Sequence, residues 1–286
     1  MPAQPAPLSS IDVGDIRVTY LPDGDARLSP TIVFPPSNDA LWAAHAEYLD
    51  EDSKLLLTFG GFLIETRDRK VIVDLALGEM EVPFPPVEGF LRGGRFLESL
   101  EKTGVAPAEV DAVLYTHLHL DHVGWTAQGG SLTFPNARHL AGAGEWDFWR
   151  SVTDDEWLVA MGPDREAVQT PLENRIDSVA DGESIAPGVT AVATPGHTPG
   201  HCSVVISSGT ERAIILGDTV VCPLQFDERD LNFLFDVDQA LAGRTRERIF
   251  AELEGTPETV VACAHYAESV FGRLVPGHGK SWVSLS

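Results

Sequence analysis

The chain has 286 residues, 43% of them hydrophobic, which is enough to bury an enzyme-sized core and argues against a peptide hormone or a disordered tail. Its 43 acidic residues against 20 basic ones give a formal net charge of -23, which repels nucleic-acid phosphates and anionic lipid and so argues against nucleic-acid or membrane partners. Three cysteines, Cys202, Cys222 and Cys263, lack the paired spacing of a zinc knuckle and are expected to be reduced thiols.

Residues 1–15 are expected to form a flexible arm, because MPAQPAPLSS carries no periodicity, and residues 16–286 a single domain. The same opening segment has neither the basic nor the apolar part of a secretion signal. No stretch reaches the roughly 18 apolar residues of a membrane span, so a cytoplasmic location is expected. Strands are predicted at IRVTYL (16–21), LLLTFGGFLIET (55–66) and KVIVDLAL (70–77), where β-branched runs are bounded by Gly, Pro and charged residues. FLRGGRFLESLEKTGV, from Phe90, has helical spacing and ends on a glycine, and DAVLYT returns to a strand. The second half repeats the rhythm with strands at GVTAVAT, CSVVISS and RAIILGD, a helix from about Asp238 to Leu253, and strands at VVACAH and RLVPGHGKSWVSL. Strand-rich halves with helices and no linker between them predict two sheets packed face to face with helices outside.

The sharpest motif is THLHLDHVGW, at the end of the apolar strand DAVLY. Three of the chain's nine histidines, His117, His119 and His122, fall there within six positions beside Asp121. Neutral imidazole and carboxylate are the ligands that hold Zn²⁺ or a similar cation. In extended backbone, side chains two apart share a face, so His117 and His119 can reach one ion, and the turn that follows can swing Asp121 and His122 toward a second. ATPGHTPGHCS offers His197 and His201 in a tight turn, of which a metal needs one. The strand RAIILGD ends on Asp218, a carboxylate whose burial is costly unless it meets a cation; bridging two ions removes that cost.

Taken together, HxHxDH at His117, His119, Asp121 and His122, the TPGHTPGH segment and the GD at Asp218 resemble the metallo-β-lactamase fold superfamily. The resemblance runs from GFLIETRDRKVIVDLALG to the C-terminus. It implies a four-layer αββα sandwich of two mixed sheets, with two metal ions. His117, His119 and His197 would hold the first ion, Asp121, His122 and a late histidine the second, and Asp218 would bridge. Asp74, in VIVDLALG, matches a strand-end aspartate expected to orient a ligand histidine from behind. Two residues compete for the late position. His265 ends an apolar strand, and AHYAESVFGRLV is similar to the AHxPFPGxGxV pattern of the branch containing methyl parathion hydrolase and YtnP-type and N-acyl-homoserine lactonases, with Ala-Glu-Ser in place of Pro-Phe-Pro. His278, in VPGHGKSW, resembles the last motif of other branches; His265 is favoured. His201 is expected to be structural, and His45 and His139 ordinary solvent-facing or helix-packing histidines.

That resemblance implies a hydrolase in which two Zn²⁺ ions, with Mn, Fe or Co as alternatives, activate a hydroxide for attack on an ester, while Asp121 passes a proton to the leaving group. The chain shows neither a GxSxG elbow nor a GxxxxGK[ST] loop. A small-molecule lactone is the expected substrate. A phosphotriester, aryl ester or β-lactam is the alternative, and a diiron redox relative a more distant one. Leu224, Phe226, Phe233 and Phe235, within residues 223–236, are expected either to line the substrate pocket or to be core, and Trp125 to be pocket wall or core. Exposed apolar residues near the arm suggest a homodimer.

Overall fold

The computed structural model of the protein describes residues 1–275, 277 and 281–285; His278 lies outside the described residues. In chain order the strands of the first half are β1 (Ser9–Val13), β2 (Ile16–Leu28), β3 (Leu55–Glu65), β4 (Lys70–Val73), β5 (Glu81–Phe84), β6 (Gly89–Arg92) and β7 (Ala112–Tyr115). A small hairpin of β8 (Ala127–Gln128) and β9 (Ser131–Leu132) follows, then β10 (Arg138–Gly142) and β11 (Ile176–Val179). All but the hairpin join one mixed nine-stranded sheet, ordered β11-β10-β7-β4-β3-β2-β6-β5 with β1 also paired to β2. The second half gives β12 (Ser184–Ala186), β13 (Val189–Ala193), β14 (Cys202–Ser208), β15 (Glu211–Ile215), β16 (Val260–Ala262), β17 (Phe271–Leu274) and β18 (Trp282–Ser284), hydrogen-bonded in that order in a seven-stranded sheet.

Period-two alternation sets the layers. In β4 and β7, Val71, Val73, Ala112 and Leu114 face the second sheet, where they meet Val204, Ala213, Ile215 and Ala262 in one cluster. Their neighbours Ile72, Val113 and Tyr115 face outward and pack on Phe96 and Leu100 of helix Phe96–Lys102 and Trp149 of helix Glu145–Ser151. Ile214 and Val261 likewise turn out of the second sheet onto Ile249, Phe250 and Leu253 of helix Gln239–Gly255. Strands covered on both faces read as unbroken apolar runs, which is why these segments stand out in the sequence. The result is the expected αββα sandwich of two mixed sheets.

Two local expectations differ from what is found, and one open alternative is decided. Within residues 1–15, Ser9–Val13 is a strand, joined to β2 by a two-residue turn in which Gly14 takes a positive φ of 56°. Ala3 and Ala6 are buried, and the Gln4 amide donates to Glu268 Oε1. The helix expected from Phe90 starts only at Phe96, because residues 89–92 pair as β6 and Gly93-Gly94 follow, with Gly94 at φ 125°. Of the two roles open to Trp125, the core is the one found. Among the described residues, no helix is long and apolar enough to cross a membrane.

A single buried carboxylate ties several of these loops together. β2 bulges between Pro22 and Gly24, which turns Asp23 inward. Its Oδ2 accepts from the Leu77 and Gly78 amides and its Oδ1 from the Gly94, Arg95 and Phe96 amides and from Trp125 Nε1. It thus caps the helix at Phe96 and fixes both the loop after Asp74 and the tryptophan that follows the histidine motif. Replacing it strands six donors, four of them buried, so Asp23→Ala is expected to lower the unfolding free energy by about 3 kcal/mol in urea titration. A change below about 0.5 kcal/mol would mean that solvent replaces the carboxylate and that the loops are held by packing alone.

Candidate metal centre

Most motif residues follow the end of an inner strand, with Asp121 and His122 on the short helix Leu120–Val123. β7 runs into Thr116 and His117, β4 into Asp74, β13 into the loop carrying His197, β15 into Asp218, and β16 into His265. The two sheets therefore deliver their polar residues to one rim while the strands supply rigidity. Gly217 makes the turn before Asp218 possible: its φ is 55°, and a side chain there would lie 2.6 Å from His201 Nε2 and 2.9 Å from Thr116 Cβ.

The nitrogens fall into two groups around Asp218. In the first, His119 Nδ1 lies 3.0 Å from His117 Nε2 and 2.9 Å from His197 Nε2. In the second, Asp121, His122 and His265 bring one ligand-type atom each within 4.8 Å of one another, and so do His117, His122 and Asp218. Asp218 stands between the groups, with Oδ1 3.0 Å from His265 Nε2 and 3.3 Å from His122 Nε2, and Oδ2 3.3 Å from His197 Nε2. All seven residues named from the sequence are thus brought together. Six are buried, and Asp121 alone is partly open to the pocket.

Residues behind the imidazoles fix which nitrogen carries the proton. Thr58 O is a carbonyl, so His265 Nδ1 must donate to it at 2.9 Å. His122 Nδ1 donates to Asp74 Oδ2 at 2.9 Å and His197 Nδ1 to Asp236 Oδ1 at 2.9 Å. Thr116 Oγ1 gives its own proton to Asp74 Oδ2 and can therefore accept from His117 Nδ1 at 3.1 Å. In the neutral ring, each chain of donors leaves Nε2 as the inward-facing acceptor. Four imidazole Nε2 atoms, His119 Nδ1 and two carboxylates then converge, and His122 Nε2 and Asp218 Oδ1 are buried without a hydrogen-bond partner. Such a cluster repels itself unless protons or cations enter it.

Charge distribution separates the two groups. Burial and the neighbouring imidazoles, His122 for His117 and His197 for His119, hold both histidines well below the ordinary imidazole range. Burial also opposes charge on His122 and His265, yet Asp218 foremost, with Asp74 and Asp121 beside His122 and Asp121 beside His265, raises both above it. Burial opposes the charge of Asp218 as well, but His265, His122, His117 and His197 keep its carboxyl well below the usual range. A trio of imidazoles beside a group that adds carboxylates suits two borderline divalent cations, and the seven residues could hold them.

The other histidines have different work. His201 Nε2 accepts from the Asp218 amide at 2.9 Å while its Nδ1 faces Thr194, and burial lowers it to about 3. His139, expected on a solvent-facing or helix-packing surface, instead lies buried in β10 against Tyr115 and is lowered to about 4, chiefly by burial. His45 follows helix Asp39–Ala44 near Glu47. All three cysteines are free and buried.

Three buried charged residues behind the site escaped the sequence reading: Glu145, Asp236 and Arg246. Glu145 Oε1 accepts from the Leu118 amide and Trp149 Nε1, and Oε2 from Thr198 Oγ1 and the Gly200 amide. It thereby staples the HxHxDH segment to the TPGHTPGH loop. Burial raises its carboxyl, against the four donors that lower it.

A pocket opens over the site, walled by Leu28, Leu57, Phe84, Leu91, Met161, Phe233 and Phe235 and floored by His119, Asp121, His197, Asp218 and His265. Residues 223–236 split between the two expected roles, since Leu224 and Phe226 are core while Phe233 and Phe235 also line the pocket.

The model of the metallo-beta-lactamase superfamily matches residues 61–265, and the chain belongs to that superfamily. It is 27% identical over 200 residues to the N-acyl homoserine lactonase AttM of Rhizobium radiobacter, a match covering 66% of each protein, just under two thirds. It is 25% identical over 208 residues to an N-acyl homoserine lactonase of a Bacillus species, covering 67% of this chain and 76% of that one. Among solved structures it is similar in fold to AidC, a dizinc quorum-quenching lactonase in complex with its product, with a TM-score of 0.85, 22% identity, and coverage of 98% and 97%. A hydrolase AbOPH of the beta lactamase superfamily gives a TM-score of 0.83 at 24% identity, covering 99% of both chains.

Glu145→Ala is expected to lower stability by about 3 kcal/mol in urea titration and to loosen both loops, seen as faster amide hydrogen exchange at Leu118 and Gly200. Unchanged exchange at those two amides would show that the staple is dispensable.

Proposed function

We propose that this protein is a dinuclear metal-dependent hydrolase that opens a lactone or similar small ester. The observation that carries the proposal is the convergence on Asp218 of inward-facing imidazole nitrogens whose outer nitrogens are already committed as donors, a buried set of ligand atoms that suits cations. His117, His119 and His197 would hold one ion, Asp121, His122 and His265 the other, and Asp218 would lie between them. When bound, such ions lower the pKa of water toward neutrality and polarise a carbonyl oxygen.

The chain's own residues divide the remaining tasks. Asp121 combines a place in the second group with exposure to the pocket, which suits it to accept a proton from the attacking water and return it to the leaving alkoxide. The apolar wall from Leu28 to Phe235 takes up a non-polar substituent on the ester and excludes water from its carbonyl. Resemblance to relatives named N-acyl homoserine lactonases supports a lactone carrying an acyl group over the aryl ester, phosphotriester and β-lactam alternatives. Zinc is the proposed ion, supported by the mixed nitrogen and carboxylate donor set.

Protein purified without added metal is expected to carry close to two equivalents of transition metal by elemental analysis. Chelation should abolish hydrolysis of acyl lactones, and added Zn²⁺, Mn²⁺ or Co²⁺ should restore it. A trace of metal together with no regained activity defeats the proposal. Activity confined to phosphotriesters or aryl esters defeats its substrate part alone. His265→Ala should bring the content toward one ion and cut turnover by about 100-fold or more, whereas His278→Ala should keep both ions. The reverse pattern would transfer the late position to His278.

A further inference from the structure

Behind His197 lies a chain of buried polar groups that the hydrolytic reading does not require. Asp236 accepts from His197 Nδ1 on Oδ1 and, on Oδ2, from Arg246 Nη1 at 2.9 Å. The Arg246 guanidinium is itself buried on helix Gln239–Gly255, and its Nη2 donates to Asn232 Oδ1 at 3.0 Å. Burying a guanidinium is costly, and an apolar side chain would fill the same space more cheaply. Two backbone bonds run alongside: the Val237 amide donates to His197 O and the Asp238 amide to Gly196 O, so the loop and the helix start move as one body.

We propose that Arg246 and Asp236 are positioning residues that set the tautomer of His197. The proposal rests on the metal-site reading above and adds to it a polarity that runs one way. Arg246 can only donate, so it holds an acceptor toward itself; Asp236, with two acceptor oxygens, still offers an acceptor to His197 Nδ1. His197 must then carry its proton on Nδ1 and present a bare Nε2 to the position between His117, His119 and Asp218. The backbone bonds alone place the ring but leave its tautomer free.

An amide in place of the carboxylate separates polarity from packing. In Asp236→Asn, Arg246 keeps the amide oxygen and the NH₂ turns to His197 Nδ1. That nitrogen must now accept, and the proton moves to Nε2, where it points into the metal position. Zinc affinity of the group containing His197 should fall about 10- to 100-fold with the fold intact. In Asp236→Asn with Arg246→Met, the amide is free to rotate and offer its oxygen to His197, so at least about tenfold of the lost affinity should return although a second interaction has been removed. A merely structural role predicts the opposite, since two lesions in one network weaken binding at least as much as one.

The test is zinc competition titration of the full-length wild type and both variants, with thermal unfolding as a check on folding. It is accompanied by imidazole ¹⁵N shifts of His197 in the metal-stripped wild type, which need no variant to fold. Recovery in the double variant and a proton on Nδ1 of the wild type are expected. A double variant no tighter than Asp236→Asn, or a wild-type proton on Nε2, overturns the relay. If the wild type takes up no zinc, the metal reading fails, while the ¹⁵N shifts still decide the tautomer.

Discussion

Asp218 is a carboxylate held in the interior with imidazole nitrogens of His117, His122, His197 and His265 at 3.0 to 4.0 Å from its oxygens. Neither member of that arrangement tolerates the interior alone, because an isolated buried charge costs several kcal/mol and clustered lone pairs repel. The placement of Asp218 depends on a glycine turn, on the His201 nitrogen that accepts its amide, and on a strand buried on both faces. Most of the polar architecture around it can be understood as keeping this one cluster assembled in the state that receives cations.

Two kinds of support do this. Donor chains through Asp74 and Thr116, Asp236 and Arg246, and the Thr58 carbonyl fix ring orientation and tautomer. Multidentate carboxylates fix the loops: Asp23 gathers the segments near Gly78, Phe96 and Trp125, and Glu145 joins the two histidine loops. Both kinds reach across the sandwich, so the site inherits its rigidity from the sheets rather than from local turns. The pocket side differs. There Phe84, Trp157 and Phe235, from three separate segments, stack on one another at 5.4 to 6.4 Å, and specificity can vary without disturbing the charged floor.

How much of this the sequence disclosed follows from where the signal lies. His117, His119, Asp121 and His122 are adjacent in the chain, and Asp218 closes an apolar run that only a doubly covered strand explains, so both could be read directly. The layers could be read for the same reason. Asp23 and Glu145 carry no mark in the sequence because their partners lie far away: Trp125 is 102 residues from Asp23, and Gly200 is 55 from Glu145. For Asp236 the local hint was the apolar setting LNFLF before it. His139 was misjudged because its partners, Tyr115 and Phe134, reach it from other segments, and the hairpin of β1 and β2 because its strand is short and its turn carries a single glycine. The start of the helix at Phe96 was masked by a strand with the same apolar spacing.

Diffraction tests the proposed place of Asp218 between two cations without reference to activity. Crystals of protein purified without added metal, measured above and below the absorption edge of the metal they contain, should show two anomalous peaks, each about 2.0–2.2 Å from an oxygen of Asp218. One peak should also be reached by His117, His119 and His197, and the other by Asp121, His122 and His265. A single peak, or none, with ordered water or added protons satisfying the imidazoles, would contradict the account.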